Sequence, residues 1–203
     1  MKSKISSWLF NPFKYIAGAE ALILGVIIMG IISFVGYLGN THFDGVIDIH
    51  YGCNESPNPY IPHLIYQIVN WACMTIVFYV IAKITTKTDF RFIDIAGTLA
   101  LSQAPLLFAA ITGIYPDVHL CLGNLDTTQI NTVLEILKEN IVALLIASLI
   151  CILFTIWSII LKYNAYSVST NIKGIIGGVS FAIALIVSEI LSKVILILCS
   201  SFF

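Results

Sequence analysis

The chain has 203 residues, of which 59% are hydrophobic and 10% charged, with a net charge of −1 and a mean hydropathy of +0.97. Soluble domains carry about 25% charged residues, so too few charges exist here to cover so apolar a core, and water is excluded as the surrounding solvent. No basic stripe is present to neutralise phosphates, which excludes nucleic acid as a partner.

The chain opens on an interfacial anchor. Trp8, Phe10, Phe13 and Tyr15 surround Pro12 and Lys14, a mixture of aromatics and lysine suited to the headgroup layer. Runs of about 18 or more apolar residues read as membrane spans, and five follow. The first, 17–39, is too long for a removable signal peptide and has no small-x-small cleavage site after it. It carries Glu20 near its start.

The connector after it, "THFDGVIDIHYGC", gathers His42, Asp44, Asp48 and His50. Imidazole and carboxylate are zinc-ligand types. In an extended strand, residues two apart share a face, so His42 with Asp44 and Asp48 with His50 form two pairs around Gly45. With His119 and His63 nearby they make a candidate zinc site on an otherwise ordered polar loop. Cys53 in this connector and Cys121 in the next are candidates for a disulfide on an oxidising face.

The second span, 64–84, contains Gln67 and Asn70; the third, 93–115, contains Asp94 near its start, Gln103, and Pro105, which predicts a kink. Asp126 with Gln129 resembles a capping box. Ile130, Val133, Leu134 and Leu137 then continue at helical spacing, predicting an amphipathic segment on the membrane surface that leads into the fourth span. That span, 141–161, has no charge. The fifth, 175–198, holds Glu189 four residues before Lys193, which puts both on one helix face. Ionisable groups inside a bilayer are costly, and they face partners or cavities.

Basic residues set the orientation. Lys2, Lys4, Lys14, Lys83, Lys87, Arg91, Lys162 and Lys173 fall on one side, and only Lys138 falls on the other with most of the acids. The expectation is an all-α polytopic bundle of five transmembrane helices forming one domain, with the N-terminus cytoplasmic and the C-terminus outside. Small residues at four-residue spacing, Ala17/Ala21/Gly25, Ala96/Ala100/Ala104 and Gly174/Gly178/Ala182, predict close packing of spans one, three and five.

"FNPFKYIAGAEALILGVIIMG" at the start and "WSIILKYNAYSVSTNIKG" between the last two spans, with five spans and an inside N-terminus, resemble the bacterial branch of the Yip family, the Ypt/Rab-interacting membrane proteins. The resemblance covers essentially the whole chain. It implies a five-helix integral membrane protein of the bacterial inner membrane, acting as a scaffold or interaction protein with the lipid bilayer, other membrane proteins or further copies of itself as partners. Eukaryotic relatives bind small GTPases. This chain lacks their long N-terminal region and their Asp-Leu-Tyr-Gly-Pro tract, so that function is not expected to carry over.

No phosphate loop, HExxH motif or nucleophile–base pair marks an enzyme, and no cofactor is required. The primary expectation is therefore a non-enzymatic scaffold. The alternatives are a small-molecule or ion transporter lined by Gln67, Asn70, Gln103, Glu189 and Lys193, and a zinc-binding protein using the outer histidines.

Overall fold

The computed structural model describes residues 2–53, 58–120 and 130–199. Asp126, Gln129 and Cys121 lie outside them. Seven α-helices form the described structure: α1 Lys2–Phe10, α2 Gly18–Leu38, α3 Tyr60–Thr85, α4 Phe92–Leu101, α5 Leu106–Thr112, α6 Ile130–Thr170 and α7 Gly174–Cys199. Five helical stretches are long and apolar enough to cross a membrane: Gly18–Leu38, Tyr60–Thr85, Phe92–Thr112, Val133–Thr170 and Gly174–Cys199. The protein is an all-α, five-span membrane bundle.

The third span is broken as Pro105 requires. Its missing N–H leaves the Leu101 carbonyl to the Ala104 amide at 3.1 Å, a tightened turn between α4 and α5. The Ser102 carbonyl is freed as well, and the Ser158 hydroxyl on α6 donates to it at 3.1 Å.

Packing of α2 on α4 follows the small residues. A Cβ on Gly25 would meet Ala100 Cβ at 2.5 Å and Leu101 N at 2.6 Å, so the two backbones touch. The fifth span departs from expectation. α7 packs on α3, not on α2 and α4. Gly174 and Gly178 have no atom within 4 Å of where a Cβ would sit, and Ala182 is exposed. The buried face of α7 is instead Gly177, Ser180, Phe181, Ala184, Ser188, Ser192 and Leu196. Phe181 and Tyr166 both stand edge-on to Phe78, with ring centroids 5.6 and 5.4 Å away, the favoured aromatic geometry.

Two further expectations are revised. The segment from Ile130 does lead into the fourth span, but as the first turns of the same uninterrupted helix. That span continues past residue 161 to Thr170, so Lys162 lies inside α6 and is 1% exposed. The connection to α7 shrinks to 171–173, turned by Asn171 (φ 57°) and Gly174 (φ 68°) in the left-handed region. At the same end of the bundle, α1 is moored to α6: Trp157 Nε1 donates to the Leu9 carbonyl at 2.9 Å and Asn164 Nδ2 to that of Phe10 at 2.8 Å.

Candidate functional site

The connector between α2 and α3 folds back into the bundle. Thr41–His42 (β1) pairs antiparallel with His50–Tyr51 (β2), Thr41 opposite Tyr51 and His42 opposite His50. Phe43–Ile49 forms a loop projecting inward from this short ribbon. Phe43 and Val46 are 3% and 4% exposed, and Val46 belongs to the main core with Met74, Phe78, Leu161 and Ala165. This hydrophobic content, Phe43, Val46, Ile47 and Ile49 amid acids, is what lets a nominally polar connector enter an apolar bundle.

Side-chain clamps hold its mouth. Asn40, at φ 42°, donates from Nδ2 to the Cys53 carbonyl at 3.1 Å and accepts at Oδ1 from His42 Nε2 at 2.9 Å. Its carbonyl accepts the Gly52 amide at 2.8 Å. His63 Nδ1 donates to the Thr41 carbonyl at 3.2 Å. His119 reaches the Gly52 and Gly113 carbonyls at 2.8 and 2.6 Å. The Tyr51 hydroxyl meets Thr112 Oγ1 at 2.6 Å and Cys151 Sγ at 3.1 Å; burial together with the thiol contact raises its pKa. Cys53 is disulfide-bonded, whereas Cys73, Cys151 and Cys199 are free.

The tip lies deep. Asn70 Nδ2 donates to the Phe43 carbonyl at 2.6 Å. Glu189 accepts the Ile47 amide at Oε2, 3.0 Å away, and its carboxylate lies against Gly45 where any Cβ would collide. Lys162 Nζ donates to the Val46 carbonyl at 3.4 Å and to Ser158 Oγ at 2.6 Å. Lys162 is eight residues from the end of α6, about 12 Å at 1.5 Å per residue, and its side chain leans back along the helix away from that end. Glu189 is fifteen residues, about 22 Å, from the start of α7 and leans back toward that start. Both groups therefore meet the loop near the middle of the bundle, at the level of the α4–α5 break.

Charges continue outward from the tip. Asp48 and Lys193 form an ion pair, each side chain 40% exposed, and Glu189 lies 3.8 Å from Lys193. Half-exposed pairs of this kind contribute only about 0–1 kcal/mol, so the tip is held chiefly by Glu189, Asn70, Lys162 and the burial of Val46. A cavity of about 210 Å³ bordered by Asp44, Tyr66 and Lys193 opens beside the loop.

At the mouth, Asp44 Oδ1 and His50 Nδ1 are 3.2 Å apart. Their hydrogen bond raises the His50 pKa above 6.5 and lowers that of Asp44 below 3.8. His42 falls to about 4, first through burial and then through the neighbouring His63 and His50 rings. The rings of His42 and His50 stack at 5.1 Å and 10°.

Each of the expected zinc ligands has a protein partner. His42 is bound to Asn40, Asp44 to His50, Asp48 to Lys193, and His119 to two carbonyls. Among the described residues no three such groups are gathered for a metal. Of the intramembrane polar residues, Asn70, Glu189 and Lys193 meet the loop. Gln67 and Gln103 are buried, each with one amide atom lacking a hydrogen-bond partner. Glu20 is exposed, and Asp94 is held by Arg91 through bonds of 2.9 and 3.0 Å.

The residue the sequence reading passed over is Lys162, which reads as one more basic residue beside a connector. It stands one turn from Ser158, but it donates to that hydroxyl, which donates onward to Ser102. Ser158 thus links the Lys162 amine to a carbonyl freed at the helix break. No family model, no curated protein and no solved structure matches this chain.

Proposed function

We propose that this protein is a small-molecule transporter of the bacterial cytoplasmic membrane, oriented with its N-terminus inside, in which the 43–49 loop is the movable element of the path. The observation that carries this reading is the loop tip set near mid-bundle between Lys162 and Glu189. Non-helical backbone at membrane depth is tolerated where it is buried in protein or lines a cavity. Solute sites in transporters lie near the midplane, beside interrupted helices whose freed backbone groups take part. The α4–α5 break supplies the second element, and the charged groups Asp48, Lys193, Glu189 and Lys162 succeed one another from the loop's flank to its tip. The scaffold expected from the Yip-family resemblance would need no such interior.

The test is access. On a background with Cys73, Cys151 and Cys199 replaced by serine, Lys162→Cys and Glu189→Cys are made singly in proteoliposomes. A membrane-impermeant thiol reagent is expected to modify both positions, although residue 162 is sealed in the structure described. Complete protection of both from either side would show a closed structural core and end the transport reading.

A further inference from the structure

Val46 and Ile47 share one peptide group, and the bundle grips both of its polar atoms with opposite charges. The Lys162 ammonium takes the carbonyl oxygen at 3.4 Å, and the Glu189 carboxylate takes the amide hydrogen at 3.0 Å. The Val46 side chain is 4% exposed, in the core that holds Met74, Phe78 and Leu161. Glu189 also lies over Gly45, against bare backbone. Lys162 has neutral acceptors only as hydrogen-bond partners, the Val46 carbonyl and Ser158.

A fully buried ammonium is an expensive way to hold a neutral carbonyl, because its desolvation costs several kcal/mol, and Glu189, 16% exposed and 3.8 Å from Lys193, faces it across the same peptide group. The pair is better matched to a ligand that carries both charges. The amide nitrogen and oxygen are about 2.2 Å apart, and an α-amino acid places its ammonium and a carboxylate oxygen about 3 Å apart. The spacing and polarity correspond, with the ammonium going to Glu189 and the carboxylate to Lys162. A branched aliphatic side chain then takes the place of Val46.

We propose that Lys162, Glu189 and the apolar pocket of Val46 form a binding site for a zwitterionic α-amino acid with a short branched aliphatic side chain, and that the loop tip occupies it as an internal stand-in. The inference rests on the transport reading only for how the solute arrives. It also gives the loop its role: tip and solute compete, so the site opens only as the loop withdraws.

Equilibrium binding of tritiated L-valine to the purified full chain tests the site. Saturable binding is expected, with unlabelled L-valine competing. Isobutylamine, which lacks the carboxylate, and isobutyrate, which lacks the ammonium, should compete at least about tenfold more weakly. Lys162→Met and Glu189→Gln should each weaken binding at least about tenfold. Gly45→Ala, whose new methyl unseats the tip, should strengthen it. The ligand series needs no variant and so stands even if one fails to fold. Absence of saturable valine binding in both the wild type and Gly45→Ala overturns the site, as does equal competition by isobutylamine or isobutyrate. The two readings fail separately. Thiol access to residues 162 and 189 without valine binding removes this site and leaves transport, whereas valine binding without its passage across vesicles keeps the site and removes transport.

Discussion

His42 stands at the mouth of the loop, packed between the rings of His50 and His63, with centroids 5.1 and 4.6 Å away. Burial holds it neutral down to about pH 4, whereas its ordinary value is 6.5. In the unfolded chain it takes up a proton near 6.5, so the unfolded state binds more protons between these values and folding weakens as pH falls from 6.5 to about 4. His50 acts in the opposite direction. Its pKa is raised by Asp44, so its contribution is complete below 6.5 and is lost as pH rises through the raised value. Asp44, lowered by the same bond, contributes above 3.8 and loses that contribution as pH falls through its lowered value. The melting temperature in detergent should therefore decline on acidification from pH 6.5 to about 4, and His42→Gln should flatten that decline. An unchanged acid limb in the variant would show that His42 is not its source.

At the scale of elements, the α2–α4 contact has no room and the outer stripe of α7 has nothing beside it. Gly25→Val must push Ala100 and the Leu101 backbone aside, at a cost of about 1–3 kcal/mol. Gly178→Val meets no atom within 4 Å, and its effect should stay within about 0.5 kcal/mol. Thermal melting of the two variants in one detergent compares them directly; equal losses would contradict the packing described. The same pair shows what the sequence discloses. Five spans are legible because long apolar runs have one physical solution in a bilayer, and Pro105 breaks its helix wherever it stands. A stripe of small residues is different, since it marks a face able to approach another helix without naming the partner. Gly25 found Ala100, while Gly178 faces outward and Phe181, Ala184 and Ser188 make the contact. Lys162 misleads for a related reason. The rule that basic residues collect at cytoplasmic helix ends is statistical, and one lysine obeying its count in sequence is folded into the core instead. The loop was half legible: the crowding of His42, Asp44, Asp48 and His50 marked this segment as distinct from the spans around it, but the inward turn depends on Lys162 and Glu189, more than a hundred residues away in the chain.

For the whole molecule, the question is whether the loop builds the bundle or fills it. The major helix contacts, α2 with α4 and α3 with α7, are made without loop residues. The loop adds the burial of Val46, a side chain whose removal from water is worth about 1.5–3 kcal/mol, together with the backbone partners of Asn70, Lys162 and Glu189. Replacing residues 44–48 with an equal length of glycine and serine removes that side chain and loosens those partners, but leaves both helix pairs intact. The melting temperature should fall while the helical circular dichroism at room temperature is retained. The Val46 pocket among Met74, Phe78 and Leu161 is then left unfilled beside Lys162 and Glu189, and vesicles carrying this variant should leak small polar solutes that wild-type vesicles retain. Loss of helicity would mean that the loop is part of the folding core. Retained helicity with tight vesicles would mean that the bundle closes without it, and the segment would then be neither plug nor gate.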